Sequence, residues 1–277
     1  MKKIFLILVY FIPFLLFSQK LYIIEGAILE CQYNYTIVKD TFRRNQIKTD
    51  VYTLRIGENV SQFYNQTYQN STSLTAAEIV KLLDNASAIN DYSSLPGAKT
   101  SVDYLYKNYP EKKITTSTLL LVDPFQYEEE LEPQQWVIRD STKQILDFFC
   151  QKAECDFRGR HWTVWFTPDI PISDGPWKFS GLPGLILDAY DTNKDHSFSI
   201  ISLKKNNLTP VTFYKISDKP FEKTERKTFL KAKQRIYFSD DPMRDMEAAT
   251  GIDLSGGKAS APREKNNKYD FIERDYK

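Results

Sequence analysis

Apolar and polar positions between residues 20 and 69 alternate in short runs, the two-residue period of strands whose side chains point to opposite faces. Leu21-Tyr-Ile-Ile24, Ala27-Ile-Leu29, Tyr33-Asn-Tyr-Thr-Ile-Val38, Val51-Tyr-Thr-Leu-Arg-Ile56 and Gln62-Phe-Tyr64 are rich in β-branched or aromatic residues and separated by polar turn residues. The period then changes. Thr75, with Glu78 three residues on, forms a capping box that opens a helix over 76–84, with Ile79, Leu82 and Leu83 on one face. Beyond Leu95-Pro-Gly97, strand patterns return over 101–106, 114–122, 135–138, 144–149, 160–166, 177–179, 185–190 and 197–204. Turn signals such as Asp123-Pro124, Arg158-Gly159 and Asp174-Gly175-Pro176 fall between them. A second helix is predicted over 224–237, with Phe229, Ala232 and Ile236 as its apolar stripe. Short sequential strands with short connections favour antiparallel pairing. The pattern therefore predicts a mainly β (α+β) fold: a curved antiparallel sheet or meander, up to a half-barrel, with one or two packed helices. Within 160–166, Trp162, Val164 and Phe166 share one face while His161, Thr163 and Trp165 share the other, so this sheet is covered in part on both sides.

The 277 residues divide into three stretches. Residues 1–18 read as a secretory signal peptide: Lys2 and Lys3 precede an apolar run that ends near Ser18. Residues 19–238 form a single β-rich domain. Residues 239–277 turn polar and charged, with few groups to bury, which predicts a mobile tail. The apolar run is shorter than the ~20 residues of a spanning helix, so a protein without a transmembrane helix after cleavage is expected. Without Lys2 and Lys3 the chain carries 35 basic against 36 acidic residues, and no global field recruits nucleic acid. The basic stretch over 215–233 reads as a solvated helix face. The expected location is periplasmic, outer-membrane-associated or extracellular.

An exported chain with three cysteines allows one disulfide. Cys150 and Cys155 are the obvious pair, since residues 151–154 could form a hairpin loop between them; three buried free thiols are the alternative.

The run Gly181-Leu-Pro-Gly-Leu-Ile186 places Pro183 and Gly184 at the second and third positions of a turn over 182–185, as type II requires, with Gly184 at positive φ. It predicts a structural corner made by Gly181, Leu182, Pro183, Gly184, Leu185 and Ile186 between strands 177–179 and 185–190. This run resembles the signature of the GLPGLI family of exported Bacteroidetes-type proteins. The resemblance spans about residues 149–191, through Arg158-Gly-Arg160, Trp165-Phe-Thr167, Ile170-Pro171 and Gly175-Pro176. It carries over no catalytic residue. It implies a role beside TonB-dependent outer-membrane receptors, with an outer-membrane or other envelope protein as partner.

Candidate chemistry is sparse. Asp191, Asn193 and Asp195 imitate the start of a calcium loop, but His196 stands where its glycine belongs and Ser202 where its glutamate belongs. Asp191, Asp195 and His196 are thus weak metal candidates, better read as a polar hairpin turn, and no cofactor is expected. Glu128, Glu129, Glu130 and Glu132 look like a solvated edge. Arg160, His161, Trp162, Trp165 and Trp177 form a candidate binding face. The leading expectation is a non-enzymatic binding or accessory protein. The alternatives are a carrier of a hydrophobic ligand in the curved sheet, or an enzyme of an unrecognised class using a pocket around Arg160, His161, Trp165, Asp169 and Asp188.

Overall fold

The computed structural model describes residues 22–39, 41, 44–66, 103–120, 123–217, 219–238 and 270–276. The signal segment and the helix expected over 76–84 lie outside the described residues. The strands are β1 (Tyr22–Glu25), β2 (Ala27–Val38), β3 (Ile47–Gly57), β4 (Ser61–Asn65), β5 (Tyr104–Lys107), β6 (Lys113–Leu120), β7 (Asp123–Glu130), β8 (Val137–Ile145), β9 (Phe148–Phe157), β10 (Arg160–Thr167), β11 (Leu185–Asp191), β12 (His196–Lys204), β13 (Val211–Phe213) and β14 (Glu222–Lys223), followed by helix α1 (Arg226–Phe238). β1 and β13 pair by themselves, and the other twelve form one sheet in the order β14-β7-β6-β5-β4-β3-β2-β12-β11-β10-β9-β8. Neighbours are antiparallel throughout except β14 on β7.

The sheet is two meanders joined along β2 and β12, so β7 and β8, consecutive in sequence, fall ten steps apart in the sheet. Laid flat, those steps would separate them by ~48 Å at ~4.8 Å per strand. The chain from Glu130 to Val137 spans at most ~25 Å. The sheet must therefore curl, and it forms a large curved open sheet whose ends approach without pairing.

The stretch 168–184 lies inside this curl. Phe179, fully buried, meets Trp162 of β10 at 4.9 Å between ring centres, Phe198 of β12 at 6.4 Å and Trp136 of the β7–β8 connection at 5.9 Å. Leu182, Leu185, Ile186 and Leu187 join the same core as Leu54, Val164 and Phe166. Around the helix, Phe229 and Leu230 pack with Leu120, Tyr127, Phe271 and Tyr276.

Several expectations need correcting. Residues 27–38 are one strand without a break at Glu30. Trp177–Phe179 is a turn closed by the Phe179 amide on the Pro176 carbonyl, because Trp177 takes a φ of 53°. Asp123-Pro124 opens strand β7 where a turn was expected. Among the described side chains of α1 the buried ones are Arg226, Phe229 and Leu230, while Ala232 is exposed; the side chain of Ile236 lies outside the description. Cys150 and Cys155 share one strand, β9, five residues and about 16 Å apart. That is beyond the ~7 Å limit for a disulfide, and Cys31, Cys150 and Cys155 are all free and buried.

The signature corner differs in mechanism. Gly184 is not in the positive-φ region; Gly181 is, at φ 92°. Gly184 is required instead because a Cβ there would overlap the Thr167 carbonyl at the end of β10. Among residues 270–276, assigned by composition to the polar tail, Phe271, Glu273 and Tyr276 are buried.

Candidate functional site

The polar groups that converge inside the molecule are charges, and they meet where the 168–184 stretch, β7, α1 and residues 270–276 come together. Lys178, 1% exposed, stands between two aromatic neighbours and pairs with Glu129 of β7 and with Glu273 at 2.6 Å. The rings of Tyr127 and Trp177 flank its ammonium at 5.5 and 5.9 Å. Glu273 also pairs with Arg226 at the start of α1, and Arg226 reaches Asp275 at 2.8 Å. Arg158, in the β9–β10 turn, joins Glu129 and Asp275, so the network links strands eight steps apart in the sheet.

Next to this lies a second set built on Arg160. Its guanidinium donates to Asp191 at 2.5 Å and to the carbonyls of Phe271 and Ile272 at 2.6 and 2.8 Å, and pairs with Asp270 at 2.7 Å. Asp195 pairs with Arg44 at 2.6 Å. The His196 Nε2–H donates to the Asp270 carbonyl at 3.1 Å, and Nδ1 accepts from the Tyr35 hydroxyl at 2.6 Å. Burial first, then the Arg160 charge, pull the His196 imidazole down to about 3, so it stays neutral. Burial raises the carboxyls of Glu273, Asp275 and Asp270, but their arginine and lysine partners outweigh it and hold all three below the ordinary range. A third pair, Lys107 with Asp174, fixes the 168–184 stretch to β5; Lys107 also donates to the carbonyls of Gly175 (2.7 Å) and Phe179 (3.3 Å).

Asp191, Asp195 and His196 are therefore brought together, but as members of an ion network whose lone pairs already face cations and hydrogen-bond donors. Among the described residues no cluster has the makings of a metal site. The candidate binding face is split by strand alternation. Arg160, Trp162 and Trp177 are buried, whereas His161 and Trp165 lie on the opposite face, His161 against Asp156 at 2.8 Å and Trp165 beneath the Lys143 ammonium at 4.5 Å. Lys143 in turn pairs with Asp188 at 2.6 Å, on that same outer side. Of the five residues of the enzyme pocket, Arg160 is thus buried on the inner face, Trp165 and Asp188 stand opposite each other on the outer one with His161 on the same side, and Asp169 is exposed just beyond β10, so the five do not share one cleft. One open groove of about 540 Å³ between β7 and the start of α1, lined by Gln126, Tyr127, Lys223 and Arg226, includes none of them.

Sequence reasoning missed Glu129, Lys178, Glu273 and the burial of Arg226. A signal existed for two of them. Strand alternation turns Glu129 inward between exposed Glu128 and Glu130, and Lys178 is a lone charge between Trp177 and Phe179. Arg226 stands in the basic stretch whose Lys227 and Lys231 are exposed as expected.

Residues 158–188 match the family described as "Protein of unknown function (Porph_ging)". The match contains Arg158, Arg160, Lys178 and the signature run, and its description is of the same kind as the GLPGLI resemblance without bearing that name. No curated protein matches the chain. Among solved structures the chain is similar to PNGF-II in its P21 crystal form, at 13% identity and a TM-score of 0.48, over 74% of this chain and 33% of that one. The C2 form gives 13% identity and 0.47, over 75% and 32%. The chain thus spans about a third of the length of these structures.

Proposed function

We propose that the protein is an exported binding or accessory factor of the cell envelope, periplasmic or outer-membrane-associated, that works with an outer-membrane or other envelope protein and serves TonB-dependent uptake. The observation that carries this reading is where the free binding capacity lies. Inside, the converging charges are consumed by one another and the imidazole of His196 has both nitrogens engaged. Outside, apolar side chains are exposed at the turn of the β8–β9 hairpin at the end of the sheet, where Leu146 is about half exposed and Phe149 is 72% exposed, and again at the far end of the same hairpin, where Val137 and Ile138 are about half exposed. Leu146 stands at the hairpin turn with a φ of 53°, and exposed apolar groups of this kind suit contact with another protein.

The carrier alternative is disfavoured by what occupies the apolar side of the sheet, where Trp177, Phe179 and Leu182 sit in the place a hydrophobic ligand would take. The test is site-specific photo-crosslinking from position 147, exposed in the same turn, in an envelope fraction. A reproducible adduct with one outer-membrane protein, lost in a Phe149→Ser variant, is expected. Repeated recovery of uncrosslinked protein would end the proposal. Native mass spectrometry of the same material separates the carrier, which would show a mass excess.

A further inference from the structure

Residues 270–276, the strap, join no strand of the sheet, yet every carboxylate they carry meets a cation of the body. Asp270 pairs with Arg160 at 2.7 Å, Glu273 with Lys178 at 2.6 Å and with Arg226, and Asp275 with Arg226 at 2.8 Å and Arg158 at 3.2 Å. Main-chain recognition accompanies the charges. Arg160 donates to two consecutive strap carbonyls, those of Phe271 and Ile272, and the Arg274 amide donates to the Arg158 carbonyl at 2.9 Å. Gly159, at φ 75°, lets the strap backbone come close: a Cβ there would lie 2.9 Å from the Arg274 Cβ and 3.2 Å from the Asp275 nitrogen. At either end Phe271 and Tyr276 are buried against the Phe229, Leu230 and Tyr127 cluster. Charge pairing, main-chain hydrogen bonds and two aromatic anchors, here packed in one cluster with their rings 6.3 Å apart, are the elements by which proteins hold peptides, and their partners are drawn from a turn, the start of a strand, a loop and a helix end.

We propose that the slot formed by Arg158, Gly159, Arg160, Lys178 and Arg226 is a peptide-recognition site for acidic segments with aromatic ends, and that the strap is its tethered occupant. All of its members but Arg226 fall within the segment that matches the family description. The proposal does not rest on the envelope role given above.

Two measurements test it. In the full-length chain carrying Glu273→Lys and Asp275→Lys the tethered strap no longer fits. A fluorescent peptide of the sequence Asp-Phe-Ile-Glu-Arg-Asp-Tyr should then bind roughly tenfold or more tighter than it binds wild-type protein, whose slot is filled. The same peptide with lysine in place of its glutamate should bind roughly tenfold or more weaker. A folded variant that does not take up the peptide, or equal binding by the wild type or of the charge-reversed peptide, overturns the proposal. Hydrogen exchange on the unaltered protein decides it even if that variant does not fold. The Arg274 amide should exchange roughly tenfold or more faster than amides at the centre of β10, and faster still with added salt, because a bound ligand leaves before its receptor unfolds. Equal exchange of the two, with no effect of salt, would show a strap that leaves only when the whole fold does.

Discussion

At the scale of single residues, the signature run acts through what its glycines leave out. Gly184 faces the Thr167 carbonyl with no room for a side chain, so Gly184→Ala should cost about 3 kcal/mol in urea unfolding, mostly as displaced β10 backbone. Gly181 combines positive φ with a would-be Cβ 2.6 Å from Pro133, and tolerates substitution no better. His196 gives a sharper test because its environment forbids its charge. Its folded pKa of about 3 lies below the 6.5 of the free side chain, so the stability it supports is complete above pH 6.5 and drains away as pH falls toward 3. In a His196→Gln variant, which can still accept from Tyr35 and donate to the Asp270 carbonyl, the slope of unfolding free energy against pH between 6.5 and 4 should be shallower by about 1.4 kcal/mol per pH unit. An unchanged slope would mean that the ring is not buried neutral.

Elements show where the sequence was readable and where it was not. Strand period located most of the strands, because alternation of apolar and polar positions survives wherever one face is buried. It failed where the chain lies within the curl: Trp177, Lys178 and Phe179 are all buried because the segment is surrounded, and its two aromatic residues resemble a strand where the chain makes a turn. It failed again at the strap, whose charges suggest solvent until their partners, far away in sequence, are known. The cations near Glu273, Asp275 and Asp270 give the strap its own pH dependence. These carboxyls are depressed, so their contribution is present above about pH 4–4.5 and is lost as pH drops through their lower native values. The melting temperature should fall steeply with acid below that range, and less steeply in Glu273→Gln. At neutral pH that variant should lose about 3–5 kcal/mol, because Lys178 and Arg226 stay buried with one counter-charge fewer.

On the scale of the whole molecule, the curled sheet keeps its thiols from both chemistry and one another. Cys31, Cys150 and Cys155 are buried, and burial pushes the thiols of Cys150 and Cys155 up to about 11 and about 12 and that of Cys31 higher still. A thiol reagent should find none of them in the native protein and all three in denaturant. Only one would react if Cys150 and Cys155 were bridged. The curvature itself was legible only in part. A meander was evident from the order of the strands, but how β7 and β8 end up at opposite ends depends on the β2–β12 pairing, which no local pattern encodes.

The strap also sets the order in which the molecule can be completed. Residues 270–276 leave the ribosome after every strand they bind against, and until they arrive Lys178, Arg226 and Arg158 share Glu129 as their carboxylate among the described residues. The interior therefore reaches electrical balance last, whatever the order in which the strands assemble. A chain cut short before Asp270 would lack the carboxylates of Glu273 and Asp275 that face Lys178 and Arg226. In this fold, charge neutrality at the core certifies that the message was read through to the strap.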